Sequence, residues 1–125
     1  MNRLLAIAAI GEAATGLVAL AYPPLVVRLL FGAEIDGIGT VVCRIAGISL
    51  IALGLACWSG RDTGRSLVWP AGAMLTYGLL ATLYLAFLGV GGRWLGPLLW
   101  PAVVVHALLT LLLARAWIDM RKQVR

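Results

Sequence analysis

Glu12 stands in the middle of a run, Leu4 to Tyr22, whose other members are all apolar or small. A carboxylate at the centre of a spanning helix costs about 2.5–3.5 kcal/mol on insertion scales, so it is expected to face a partner or a polar cavity. Two further apolar runs carry an ionisable group of their own, Arg44 in the second and His106 in the fourth. Tyr77 lies near the middle of the third, with Tyr84 in its outer half. A carboxylate beside an imidazole can relay a proton, for example to a quinone or a double bond. A carboxylate beside a guanidinium can instead be a plain ion pair that selects one helix arrangement.

Depth decides which of these groups can meet. Glu12 and His106 each fall about ten residues, or roughly 15 Å, below the outer end of their runs. Arg44 sits one to two turns nearer the outer surface, within reach of an extended side chain. On this reading Glu12 and Arg44 form a pair, and His106 converges on the same cavity. Each residue also has a purely structural reading. Glu12 and Arg44 then fix helix register, His106 bonds a carbonyl freed by a kink at Pro97 or Pro101, and Tyr77 and Tyr84 only pack.

Positioning such groups takes helices that cross a bilayer. The chain has 125 residues, of which 62% are hydrophobic and only 12% charged, and its mean hydropathy is +1.01. These values exclude an ordinary soluble domain. About 20 mostly apolar residues span a membrane, and four stretches qualify: Arg3–Tyr22, Ile38–Trp58, Leu67–Val90 and Leu95–Trp117. The expected fold is an all-α, up-down, four-helix membrane bundle forming one domain over residues 1–125.

The net charge of +5 does not point to nucleic acid, because its distribution follows the membrane. Arg3, Arg61, Arg65, Arg115, Arg121, Lys122 and Arg125 share one side of a four-span chain. The other side has Arg28 and Arg93, offset by Glu34 and Asp36. By the positive-inside rule both termini are cytoplasmic, and the C-terminal cations are placed to touch anionic headgroups. Ala19-Leu20-Ala21 looks like a cleavage site, but a glutamate is foreign to a signal-peptide core, so a retained helix is expected.

Punctuation along the chain is clear. Tyr22-Pro23-Pro24 ends the first helix, since proline cannot continue the ladder. Leu25 to Phe31 is apolar with one Arg and too short to span, so a short helix at the outer interface is expected. Small residues and Glu12 share a stripe of the first helix: Leu5, Ala8, Ala9, Glu12, Thr15, Gly16 and Ala19. Arg44, Gly47, Ile51, Gly54 and Trp58 share one on the second. Ala73, Tyr77, Ala81 and Tyr84 share one on the third. Such small-residue faces are where membrane helices approach closely.

Other chemistry is poorly supported. Cys43 and Cys57 lie fourteen residues apart on one helix, about 21 Å, which is far beyond the ~7 Å limit of a disulfide. One histidine and no carboxylate cluster argue against a metal site. There is no Cys-x-x-Cys, nucleophile elbow or phosphate loop. A lone His is thin support for haem.

Gly16, Tyr22-Pro23, Leu30-Phe31-Gly32, Arg44-x-x-Gly47 and Leu53-Gly54 together resemble the DoxX-like group of small four-helix bacterial membrane proteins. The likeness covers the N-terminal half, whereas the C-terminal half is similar only in helix number. The resemblance implies a bundle in a bacterial inner membrane. It also makes a quinone or a lipid a reasonable ligand, because some members are associated with quinone-linked oxidoreductases. Glu12 and His106 match no motif of the group.

Three readings follow. The first is a membrane protein that binds a small amphipathic or hydrophobic ligand. Glu12 and Arg44 form its polar floor, His106 and Tyr77 position the ligand, and Tyr84 lines the entrance. The second is an accessory subunit of a larger membrane complex, or a homo-oligomer, with no ligand of its own. The third is a small membrane isomerase or oxidoreductase component using Glu12 and His106 as acid and base.

Overall fold

A computed structural model describes residues 2–60 and 68–123 and is helical throughout, apart from short connections. The helices are α1 (Asn2–Ala21), α2 (Pro23–Phe31), α3 (Gly37–Gly60), α4 (Val68–Gly91) and α5 (Leu99–Gln123). α1, α3, α4 and α5 are each long and apolar enough to cross a membrane, and α2 is the short element between the first two spans. Arg61, Arg65 and Arg125, which enter the charge asymmetry, lie outside the described residues.

The chain packs as two antiparallel hairpins, α1 with α3 and α4 with α5, joined along a sparser seam. The first hairpin is held by backbone-to-backbone approach. A Cβ on Gly16 would lie 2.6 Å from the Gly47 carbonyl oxygen, one on Gly47 would lie 2.6 Å from that of Gly16, and one on Gly54 would lie 2.6 Å from that of Ala9. Only glycine permits contacts this close, and in lipid such contacts replace the missing hydrophobic drive between helices. The buried face of α1 is Leu5, Ala8, Ala9, Glu12, Gly16 and Ala19, close to the expected stripe. Thr15 departs from that stripe. It is exposed, and its hydroxyl donates to the Gly11 carbonyl at 2.9 Å.

Between the hairpins lies a plug of Leu5, Ala8, Ala9, Cys57, Met74 and Leu113. Ile7, Ile10, Leu17, Val42, Leu83 and Leu111 are exposed on the outward faces, and in a bilayer they contact acyl chains. All backbone groups of a spanning helix are satisfied within the helix, so lipid can surround it.

α2 begins at Pro23, two residues before the expected start, because proline at the first helical position lacks only an N–H that would have no partner there. It ends at Gly32, which takes the left-handed conformation (φ 64°) and donates to the Arg28 carbonyl at 3.0 Å. The next two carbonyls at this end are capped from the α4–α5 connection. Gly96 N donates to Leu30 O at 3.1 Å and Leu98 N to Leu29 O at 2.8 Å. Any side chain on Gly96 would collide with the backbone of Leu29 and Leu30. The short helix is thereby tied to the second hairpin.

Three expectations need correction. The fourth span starts at Leu99, not Leu95, since Pro97 disfavours helical geometry in the residue before it. Pro101 is then in the first turn of α5, where its missing N–H breaks no bond, and neither proline frees a carbonyl for His106. On α4 the buried positions are Ala71, Met74 and Gly89, while Ala73 and Tyr84 are exposed, so the face predicted from Ala73, Tyr77, Ala81 and Tyr84 is rotated from the packed one.

Candidate functional site

The seam between the hairpins is where α1 presents Glu12, which is 8% exposed. Its helix rotation follows from Ala8, Ala9 and Gly16 on the same stripe: the small residues draw that face inward, and the carboxylate goes with it. From α5, His106 points into the same seam, with Nε2 3.4 Å from Glu12 Oε1. From α4, the Tyr77 ring is tilted against the imidazole at a centroid distance of 6.2 Å. The expected convergence of His106 and Glu12 is therefore present.

His106 Nδ1 lies 2.8 Å from the Ala102 carbonyl oxygen one turn back on α5. A carbonyl oxygen can only accept, so Nδ1 carries a proton. That assignment leaves Nε2 to face Glu12 either as a lone pair meeting a protonated carboxyl or as an N–H⁺ meeting a carboxylate. In both forms a single proton lies between the two facing atoms. A pair sharing one proton in this way is neutral overall, the form a low-dielectric interior tolerates best.

The expected Glu12–Arg44 pair is not formed. Gly47 packs on Gly16 and Gly54 on Ala9, and this register carries Arg44 one turn beyond Gly47, level with the C-terminal end of α1. Arg44 is exposed there, about two turns from the depth of Glu12. Tyr84 is also away from the dyad. It is 63% exposed, about 10 Å further along α4 than Tyr77. It lines an open cleft beside α2 with Phe31, Glu34, Leu88 and Trp94. Beside that cleft Glu34 meets Arg28 in an exposed ion pair at 3.8 Å.

The space next to the dyad is small. A cavity of about 10 Å³ is bounded by Glu12 and His106 together with Ala8, Met74, Gly78, Leu109, Thr110 and Leu113. Thr110 and Gly78 were not anticipated as site residues. The signal for Thr110 was its position one turn beyond His106 on the same face. Gly78 gave no signal before the α4–α5 contact was known: a Cβ there would sit 2.6 Å from Thr110 Oγ1. Among the described residues no three of His, Cys, Asp and Glu converge as a metal site would need.

Fold and site together define a four-span integral membrane protein with a glutamate–histidine dyad buried between two helical hairpins. No family model, no curated protein and no solved structure matches the chain.

Proposed function

We propose that this is a DoxX-like protein of a bacterial inner membrane whose dyad binds the polar head of a small amphipathic or hydrophobic ligand, a quinone or a lipid-like molecule. The observation that carries the reading is the Glu12–His106 contact at 3.4 Å, buried at mid-span with Tyr77 against it. A dyad holding one proton can donate to a carbonyl oxygen through the carboxyl or the imidazolium. It can also accept from a hydroxyl, and these are the two ends of quinone chemistry. The ligand enters by parting the seam, the weaker of the helix contacts, and its tail remains in lipid. Tyr84 and Trp94 at the outer cleft mark the side of approach. The DoxX-like kinship is supported by what its motifs do here. Gly16, Gly47 and Gly54 make the α1–α3 contact, and Leu30-Phe31-Gly32 closes α2.

The small size of the cavity favours a second reading, in which the dyad only locks the two hairpins and the protein is an accessory subunit of a larger complex. One measurement separates the two. The full chain is extracted in mild detergent, and its bound lipophiles and partner proteins are identified by mass spectrometry. A quinone or a single lipid class is expected at near-stoichiometric amount, and lost in Glu12→Gln. Bulk-membrane lipid composition together with a co-purifying membrane protein would favour the accessory subunit.

The orientation belongs to the same proposal. Both termini face the cytoplasm, and Gly91-Gly92 faces outward. It rests on the basic residues Arg3, Arg115, Arg121 and Lys122 near the chain ends, with Arg61 and Arg65 between the middle spans. Arg121 stacks over the Trp117 ring at 4.4 Å, an arrangement suited to the headgroup layer. A phosphatase active only outside the membrane, fused after Arg125, is expected to be silent. Activity there would reverse the topology.

A further inference from the structure

The cleft beside α2 gathers three aromatic residues and a carboxylate from separate elements. α2 ends at Phe31, and Gly32 takes the left-handed conformation (φ 64°). The chain turns back there, and Glu34 comes to lie 3.8 Å from Arg28. Past α4, the connection that carries Trp94 is bonded onto the same helix end through Gly96 N to Leu30 O and Leu98 N to Leu29 O. Trp94 and Phe31 are thereby brought to one place. Tyr84 and Leu88, one turn apart on α4, complete the walls of a cleft of about 310 Å³.

Aromatic faces and a carboxylate are groups that hold an ammonium ion. The rings attract it through their quadrupoles, and the carboxylate accepts its N–H hydrogen bonds. An isolated cation is nevertheless a poor fit, because the Arg28 guanidinium stands beside Glu34 and repels it. An isolated anion meets Glu34 in the same way. A molecule with an ammonium and a phosphate a few bonds apart suits both. The Arg28–Glu34 pair is open to such a molecule. It is one Nε–Oε1 contact at 3.8 Å with side chains 74% and 82% exposed, beyond the 2.7–2.9 Å of a charge-assisted hydrogen bond. Surface pairs of this kind hold weakly, so most donors of the guanidinium and acceptors of the carboxylate are not spent on each other.

The position of the cleft says where that molecule comes from. α2 has nine residues, too few to span, and it lies where α1 ends at Ala21 and α4 at Gly91. The cleft therefore sits at the level of the lipid headgroups. Tyr84 and Trp94, 63% and 45% exposed, are the amphipathic ring types of that layer.

We propose that the cleft seats the headgroup of a zwitterionic phospholipid with a primary ammonium. The ammonium lies against Glu34 and the rings of Phe31, Tyr84 and Trp94, and the phosphate meets Arg28. The acyl chains run along the exposed Leu80, Leu83 and Phe87 of α4. A primary ammonium is preferred to a trimethylammonium because only the former can donate to the Glu34 carboxylate. The site is separate from the dyad, since Tyr84 is about 10 Å along α4 from Tyr77, and it stands whether or not the dyad takes a ligand.

The test is native mass spectrometry of the full chain released from nanodiscs. The nanodiscs contain equal amounts of phosphatidylethanolamine, phosphatidylcholine and phosphatidylglycerol with identical acyl chains. Retained phosphatidylethanolamine is expected to exceed phosphatidylcholine by about tenfold, the ratio that one additional hydrogen bond to a charged group supports. Glu34→Gln should abolish the preference, Arg28→Gln should lower retention of both zwitterionic lipids, and Asp36→Asn should change neither. All three positions are exposed, so the variants are expected to fold. Retention in the wild type at the bulk ratio would overturn the proposal, as would enrichment of phosphatidylglycerol or a preference that survives Glu34→Gln. Glu12→Gln keeps the dyad reading distinguishable: it should leave this lipid in place, and its loss there would assign the lipid to the dyad and overturn the cleft.

Discussion

Replacing His106 with leucine is expected to destabilise the protein by about 3–5 kcal/mol, the range found when one member of a buried pair is removed. The leucine leaves the Glu12 carboxyl buried in the seam without its imidazole, and the carboxyl must stay protonated or draw in water. Glu12→Leu is expected to cost less, because His106 keeps its bond to Ala102. The double variant should cost clearly less than the two single changes added together, since two leucines fill an apolar seam without stranding a polar group. Reversible unfolding in mixed detergent micelles measures all three. Additive costs would mean that the two residues do not interact. Arg44→Leu serves as the internal comparison. Arg44 is exposed and separate from the dyad, so its loss should change stability by no more than about 0.5 kcal/mol.

Gly47→Leu is expected to have a comparably large effect on the first hairpin. Its Cβ would meet the Gly16 carbonyl oxygen at 2.6 Å and the Leu20 nitrogen at 2.7 Å. These are backbone atoms, so no side-chain rotation relieves the clash and α1 must move away from α3. Overpacking a well-filled core usually costs 1–3 kcal/mol, and a cost of about 3 kcal/mol or more is expected here. Glu12 rides on the displaced helix, so its contact with His106 should be lost as well. Gly11→Leu makes a stringent control, because nothing lies within 4 Å of a Cβ built there. It should be neutral or slightly stabilising, because leucine is the better helix former. Equal thermal midpoints for the two variants would refute the close approach of α1 and α3.

Much of the fold was legible because the signals are local. A bilayer demands a fixed length of apolar chain from each span, and the four spans stand where hydropathy placed them, apart from the start of the last. The short α2 was marked by prolines before it and Gly32 after it. The inward face of α1 followed from its small residues at helical spacing, with Thr15 the exception. Glu12 on α1 and His106 on α5 were recognisable as interior groups for the same reason, that an ionisable residue in hydrocarbon must turn towards something polar.

The partner of Glu12 was not legible in the same way. Residue counting put Arg44 and His106 within reach, but depth measured from the end of each run carries an error of a turn, which is longer than the contact being sought. The α1–α3 register is set by Gly16, Gly47, Ala9 and Gly54, where backbone meets backbone, and that register leaves Arg44 outside the site. Thr110 was hidden because a threonine in an apolar helix ordinarily bonds its own backbone. Gly96 was hidden because its role exists only where the α4–α5 connection meets the end of α2.

The amino-acid sequence by itself determined the membrane class, the number of crossings and the inward turn of Glu12 and His106. All of these are set by hydropathy and periodicity within one helix. Only the tertiary structure decided that the bundle is two hairpins with a seam, that Glu12 meets His106 rather than Arg44, and that Gly78 and Thr110 shape the space beside them. Those outcomes depend on how two helices slide and rotate against each other, and a shift of one residue, about 1.5 Å, is enough to make or break a hydrogen bond.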